Sequence, residues 1–246
     1  MITPSRLVLS ASAALAAALL LVGCTGSAGE QPPTSSAAPD DSNSTDDIGD
    51  DFEAAWLDNG RMFSIVTWGS SSCVPIVDEI SAEGQKVTVS LVDAPNADGS
   101  ERVCTADFAP RASIGGLPEG VDPTKDVEFI VTLGDITEDV ELDGNAALTG
   151  TGGEATDYEP SAGWFDDDGI VLLTWGSSTC PPIVENVEVQ DAGATVTFTT
   201  EDGACTMDMV PRATLLGMSD DVDDDEDFTL TLVGGNLDGA VHVLRG

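Results

Sequence analysis

The chain has 246 residues and is strongly acidic, with 8 Lys plus Arg against 45 Asp plus Glu and a formal net charge of −37 at pH 7. A surface of this sign repels nucleic acid and anionic lipid headgroups, so the composition argues against nucleic-acid binding. The acidic residues are spread over turns, an N-terminal polar segment and the run 220–227, which is typical of a solvated surface more than of one site.

An apolar segment opens the chain. The single basic residue Arg6 precedes the run 7–22, whose composition and length are those of a signal-peptide core. A membrane-spanning helix needs about 20 predominantly apolar residues, so a permanent span is the weaker interpretation. The segment 21–24, Leu-Val-Gly-Cys, resembles the lipobox of bacterial lipoproteins. The resemblance implies that residues 1–23 are removed and that Cys24 carries the lipid anchor, with palmitate-type acyl chains, on the extracytoplasmic face of a cell membrane.

The alternative is an ordinary secretory signal that ends near a cysteine, which leaves Cys24 as an unpaired thiol in an oxidising compartment. Residues 24–51 are rich in Gly, Ser, Pro, Thr and Asp and nearly devoid of apolar side chains. Such a segment cannot bury enough surface to fold, so we expect a disordered tether.

The rest of the chain is an internal duplication. Two motifs recur in the same order: Thr-Trp-Gly-Ser-Ser-Ser-Cys at 67–73 returns as Thr-Trp-Gly-Ser-Ser-Thr-Cys at 174–180, and Cys104 to Ala112 returns as Cys205 to Ala213. The repeat predicts a first β domain at 52–146, a linker at 147–161 and a second β domain at 162–246.

The fold class follows from the alternation of apolar and polar residues. Val87, Val89 and Leu91 alternate with polar neighbours, which indicates half-buried strands. The continuously apolar run 170–173 predicts a central strand covered on both faces. The sequence therefore predicts an all-β protein with two tandem, homologous, small antiparallel β-sandwich or barrel domains, and it leaves their relative arrangement open.

Four cysteines remain after Cys24, and three pairings are possible. If an ancestral single module folded alone, its bridge was internal, which predicts Cys73–Cys104 and Cys180–Cys205. A redox role favours cysteines that are close together in sequence, so we expect structural disulfides. Zinc sites usually include histidine or free cysteine ligands, and the only histidine of the chain is His242, so we expect no metal or other cofactor.

Arginine and aspartate recur beside the second cysteine of each module. In a strand beginning at Cys104, the residues Cys104, Ala106 and Phe108 are expected to face the core, with Thr105, Asp107 and Arg111 outward. The second copy predicts the same for Thr206, Asp208 and Arg212. One interpretation is an Asp–Arg ion pair that fixes a turn, and the other is a paired site that grips an anion or carboxylate.

One interpretation of the Trp-Gly-Ser-Ser element is a strand end and loop fixed by the disulfide, with Trp68 or Trp175 covering it. A loop with several hydroxyls beside an aromatic ring also suits a sugar. The candidate ligand-binding residues are Arg111, Arg212, Asp107, Asp208, Trp68 and Trp175. A nucleophilic serine is disfavoured because the first module contains no histidine.

The sequence predicts a membrane-anchored surface lipoprotein with a non-catalytic binding or envelope-structural role, whose partners are the membrane, through lipid, and an envelope glycan or protein. One alternative is a secreted-side hydrolase of envelope glycan or peptide. Another is a cation-binding accessory subunit of a membrane partner, although the run 220–227 lacks the spacing of a calcium loop.

Overall fold

The computed structural model describes residues 52–96, 102–190, 192–200, 203–219, 222 and 226–246. The predicted signal peptide, Cys24, the predicted tether and most of the acidic run 220–227 lie outside these residues, so the predictions made for them stay predictions. Among the described residues, no helix is long and apolar enough to cross a membrane.

The described chain is built from strands, as the alternating sequence pattern predicted. The strands of the first half are β1 Glu53–Leu57, β2 Met62–Gly69, β3 Pro75–Glu83, β4 Lys86–Asp93, β5 Ala109–Gly116, β6 Val127–Leu133 and β7 Ile136–Leu142. Those of the second half are β8 Ser161–Asp166, β9 Gly169–Gly176, β10 Ile183–Gln190, β11 Gly193–Thr199, β12 Val210–Gly217, β13 Thr229–Gly234 and β14 Gly239–Leu244. A 3₁₀ turn, Asp58–Gly60, joins β1 to β2. The all-β prediction is confirmed.

The two halves share one strand order. In the second half a seven-stranded sheet runs β10-β11-β13-β14-β8-β9-β12, and in the first half the equivalent strands form two sheets, β3-β4-β6-β7 and β1-β2-β5. Most neighbouring strands are antiparallel, but β4–β6, β11–β13 and β14–β8 pair in parallel. A long connection precedes the second member of each parallel pair, as parallel pairing requires.

Each half has its own apolar core. In β4 the side chains of Val87, Val89 and Leu91 are buried while Thr88 is exposed, which is the period-two pattern of a strand with one face inward. Aromatic pairs anchor both cores: the rings of Phe63 and Phe129 lie 4.6 Å apart, and those of Trp164 and Phe228 lie 5.3 Å apart.

A third apolar cluster joins the halves. Its fully or nearly fully buried members come from β1, β2, β5 and β9, and they are Ala55, Leu57, Val66, Ala112, Val171 and Leu173. Strand β9 therefore contributes Ile170 and Leu172 to the core of the second half and its alternate residues to the shared cluster. The prediction of a strand covered on both faces is confirmed, and the halves pack on each other.

The connection between the halves lies along the first half. Gly150 donates its backbone N–H to the carbonyl of Asn59 at 2.9 Å, and Gly153 donates to the carbonyl of Leu117 at 2.8 Å. Arg61 bridges Asp58 and Asp157, at 2.8 and 2.7 Å. These bonds hold the predicted linker in a defined path up to the start of β8.

Candidate functional site

Each half closes one loop with a disulfide, in the predicted pairing. Cys73 bonds Cys104 and Cys180 bonds Cys205, with Cα atoms 5.6 Å apart in both bridges. The first cysteine of each pair follows the β2 or β9 strand, and the second lies in the segment that leads into β5 or β12. We call this segment the tip loop, residues 102–108 in the first half and 203–209 in the second.

A buried arginine holds the first cysteine loop in place. Arg111, only 8 % exposed, donates from Nη1 to the carbonyl of Cys73 at 2.9 Å, and from Nη2 to the carbonyl of Trp68 at 3.0 Å and the hydroxyl of Thr67 at 3.3 Å. Its guanidinium lies against Gly69, where a Cβ atom would come within 2.7 Å of Cζ. A side chain at position 69 would therefore force this guanidinium to move.

The second half repeats this arrangement with one difference. Arg212 donates to the carbonyls of Cys180 at 3.1 Å and Trp175 at 2.9 Å, and its guanidinium packs on Gly176. Arg212 is only partly buried, and no bond to Thr174 replaces the one that Arg111 makes to the equivalent Thr67. The two separated motifs, Trp-Gly-Ser-Ser and Pro-Arg-Ala, thus form one structural unit.

The expectation that the arginine points outward was wrong for Arg111, which is buried, whereas Arg212 is partly exposed. Neither Arg111 nor Arg212 forms an ion pair with a described carboxylate, and burial lowers the pKa of both guanidinium groups. The buried charge is instead solvated by loop carbonyls, because a carbonyl at a strand end is left without a ladder partner and accepts well.

The predicted aspartates stabilise the exposed side of the same loop. Asp107 accepts from the backbone N–H of Ser71 at 3.3 Å and from the hydroxyl of Thr105, and Asp208 does the same with Ser178, at 3.2 Å, and Thr206. These bonds favour the ionised carboxylate and lower the pKa of both aspartates to about 2.

Hydroxyl groups complete the network: Ser70 and Ser72 contact Thr105 in the first half, at 2.8 and 3.1 Å. The serine hydroxyls thus bond to a threonine that itself bonds to a carboxylate. The arrangement fixes the loop to the segment before β5, which is the structural role that the sequence also allowed.

The prediction that a strand begins at Cys104 was wrong. Residues 104–108 have no strand pairing, β5 begins only at Ala109, and Cys104, Ala106 and Phe108 are exposed instead of facing the core. The hydrogen bonds to Thr105 and Asp107 and the disulfide hold the segment as a loop, because side-chain bonds to the backbone compete with strand pairing.

The two candidate tryptophans face the junction of the halves. Trp68 meets the ring of Phe165 edge-on at 6.4 Å and packs against the shared apolar cluster, and Trp175 meets Tyr158 at 5.0 Å. Trp68 was expected to cover its cysteine loop but contributes to the packing of the halves. Trp175 lies nearer to its own loop, since it lines a cleft together with Cys180 and Cys205.

Sequence reasoning missed the apolar side chains that the tip loops expose. Val103 and Phe108 are 97 % and 63 % exposed in the first half, and Met207 and Met209 are 103 % and 61 % exposed in the second. Phe108 and Met209 occupy equivalent positions of the duplication. The available signal was a large apolar residue between an aspartate and a proline-containing strand start in both copies, but strand periodicity assigned it to the core.

A cleft of about 420 Å³ opens beside the disulfide of the second half. Its walls include Trp175, Arg212, Thr200, Asn236 and Leu237. Across the part of the chain that the structure describes, no group of three or more His, Cys, Asp or Glu side chains is arranged to hold a metal ion.

In each half the arginine, Arg111 or Arg212, thus lies beneath the loop that carries the first cysteine, and the aspartate, Asp107 or Asp208, lies on the exposed side of that loop. The large apolar side chains of the tip loops remain exposed. The arrangement can present a rigid surface and, in the second half, admit a small ligand. The chain matches no protein-family model, no curated protein and no solved structure.

Proposed function

We propose that the protein is a lipid-anchored, non-catalytic binding protein of the cell envelope, which contacts a cationic partner protein through its two tip loops. The observation that carries this proposal is the repeated exposure of large apolar side chains on a disulfide-bonded loop, at Phe108 in one half and Met209 in the other.

Exposure at equivalent places argues for a contact surface. Single exposed apolar residues are common, but neighbouring ones on a short loop are associated with binding. Val103 accompanies Phe108, and Met207 accompanies Met209. Aromatic residues are enriched at the centres of interfaces, and the flexible, polarisable Met side chain adapts to varied partners.

The loops are also organised before any partner arrives. The disulfide and the bond from Ser71 to Asp107 tie the tip loop that carries Phe108 to the segment around Cys73, which Arg111 in turn holds through the carbonyl of Cys73. A preorganised loop loses less conformational freedom on binding, which leaves more of the contact energy as affinity.

Charge selects the kind of partner. The chain carries a formal charge of −37, and the apolar tips flank the ionised side chains of Asp107 and Asp208. A partner with apolar side chains rimmed by Lys or Arg meets both features, and its association is accelerated at low salt.

The anchor supports the location of this activity and has its own test. The lipobox resemblance at 21–24 assigns lipid to Cys24, and the acyl chains of a lipoprotein give stable membrane attachment. We expect Cys24→Ala to stop lipid incorporation and to release the chain from membranes or leave its precursor uncleaved. Labelled palmitate in the Cys24→Ala chain at the wild-type level would contradict the assignment.

The tip loops are tested by photocrosslinking in intact envelopes from a photoreactive residue at position 108, 209 or 136. Ile136 is 52 % exposed but lies on β7, so it is a matched apolar control. We expect one common basic protein to crosslink from 108 and 209 and not from 136.

The purified partner then provides the quantitative test. Phe108→Ser with Met209→Ser should weaken its binding by about tenfold or more, whereas Ile136→Ser with Val233→Ser should leave it unchanged, because interface energy is concentrated in a few central side chains. Equal effects of the two pairs of substitutions, or the absence of a common crosslinked partner, would refute the proposed binding surface. Neither result would bear on the lipid assignment of Cys24.

A further inference from the structure

We propose that the cleft beside Cys180–Cys205 binds a carboxylate, held by the guanidinium of Arg212 over the ring of Trp175. The site is proposed for the second half alone, and the proposal does not depend on the partner surface of the tip loops. The cleft has a volume of about 420 Å³, within the range of small-molecule sites.

Arg212 retains unused donors. Its Nη1 and Nη2 atoms each donate one hydrogen bond, to the carbonyls of Cys180 and Trp175, so one N–H on each terminal nitrogen has no partner among the described residues. Two N–H groups of one guanidinium match the two oxygens of a carboxylate, which is the geometry of a bidentate ion pair.

The comparison between the two copies supports a ligand role for Arg212. Arg111 is buried and bonds the hydroxyl of Thr67, whereas Arg212 is partly exposed and lines the cleft. The equivalent hydroxyl, that of Thr174, is fully buried and has no hydrogen-bond partner in the structure. The second copy therefore lacks one bond inside the fold, and its partly exposed guanidinium lines the cleft.

The other walls indicate an amphipathic ligand. Trp175, Pro182 and Leu237 offer apolar surface, while Thr200 and Asn236 offer a hydroxyl and an amide beside the cation. An indole ring next to polar groups suits a ligand with one apolar face.

A ligand with a single negative charge fits the molecule best. A partly desolvated guanidinium without a described carboxylate partner gains from an anion placed against it. The net charge of −37 repels polyanions at long range, but repulsion beyond about 8 Å is screened at physiological salt. A peptide C-terminus and an acidic sugar both carry such a carboxylate, and the probes below distinguish these two sources.

The experiment follows the indole N–H resonance of Trp175 in the full-length protein, titrated with four probes. N-acetyl-alanyl-alanine and glucuronate carry the carboxylate, and N-acetyl-alanyl-alaninamide and glucose are their neutral counterparts. We expect a saturable shift with at least one carboxylate and none with its neutral counterpart. The dipeptide or the sugar acid alone identifies the source.

Two variants test the assignment from different sides. Arg212→Lys keeps the positive charge but removes the paired N–H groups of the guanidinium. Thr200→Trp fills the cleft while Arg212 stays in place. Each variant should weaken binding by about tenfold or more. Thr88→Trp, an exposed strand threonine in the first half, is the matched control and should leave binding unchanged.

Several outcomes would overturn the proposal. These are no saturable shift with either carboxylate, an equal shift with acid and neutral probe, or wild-type binding in a folded Thr200→Trp protein. Thr200→Trp is decisive if Arg212→Lys fails to fold, because it leaves the bonds of Arg212 to the loop intact.

Discussion

At the scale of single residues, the arginine under each cysteine loop explains why a glycine follows the tryptophan. A Cβ atom at Gly69 or Gly176 would come within 3.0 Å of the guanidinium of Arg111 or Arg212. The arginine must then shift away from the carbonyls that it bonds. The charge and the glycine are therefore parts of the same contact, although they are far apart in sequence.

We predict that Gly69→Ala lowers the free energy of unfolding by about 1–3 kcal/mol, the range for overpacking a filled site. Gly116→Ala is the control, because a Cβ atom there would meet nothing within 4 Å. Urea unfolding of the two variants measures the difference. Equal stability would show that Arg111 moves aside at little cost.

A second residue-scale prediction concerns Asp107. Its pKa lies at about 2 in the folded protein against 3.8 for an unperturbed group, so its bonds stabilise the fold above pH 3.8 and are lost as the pH falls through 2. Asp107→Asn should destabilise at pH 6, and the difference from the wild type should shrink as the pH falls from 3.8 through about 2. Comparing the two proteins at each pH cancels the general effect of the other carboxylates. A difference that is constant with pH would contradict the role of the ionised form.

At the scale of elements, the disulfide decides whether the tip loop stays ordered. The loop's other bonds, such as those of Ser70 and Ser72 to Thr105, are exposed to solvent and contribute little alone. The covalent bridge therefore provides the main restraint on the tip loop.

Replacing both Cys180 and Cys205 by Ala should lower the free energy of unfolding by about 2–5 kcal/mol. It should also increase hydrogen exchange over 203–209 while leaving β13 protected. The same change at Cys73 and Cys104 is the internal comparison, and its loop is of similar length. Unchanged exchange in the tip loop would assign its order to the hydrogen bonds instead.

At the scale of the whole molecule, the halves are joined by a shared core and by the close approach of β1 and β8. At Gly163 a Cβ atom would collide with the carbonyl oxygen of Trp56. The small residues Ala55 and Gly163 lie at this approach, and the buried side chains of Leu57 and Leu173 fill the space around it. The halves are therefore expected to unfold as one unit.

Leu173→Ala should destabilise the protein by roughly 2–5 kcal/mol, as expected for truncating a buried leucine. Unfolding signals from the two halves should shift together. Tryptophan fluorescence reports the second half alone in a Trp56→Phe/Trp68→Phe protein and the first half alone in a Trp164→Phe/Trp175→Phe protein, because each half contains two of the four tryptophans. Two transitions, with only the second half shifted, would show that the shared cluster does not couple the halves.

The sequence alone was sufficient for the all-β class, for strands such as β4 and β9, for the repeat and for the disulfide pairing. Val87, Val89 and Leu91 alternate with polar residues because one face of β4 is buried, and the run 170–173 is continuous because β9 has a core on each side. The duplication selected the cysteine pairing, since equivalent modules require equivalent bridges.

The tertiary structure decided the environment of the site residues. A strand period placed Phe108 inside and Arg111 outside, but the disulfide and the bonds to Asp107 end the strand pattern before Ala109 and reverse both assignments. The parallel pairing of β4 with β6 and the cleft beside Arg212 depend on contacts between distant segments. Local periodicity reports which face of a strand is apolar, whereas the neighbours that cover or expose it are determined only when the whole chain packs.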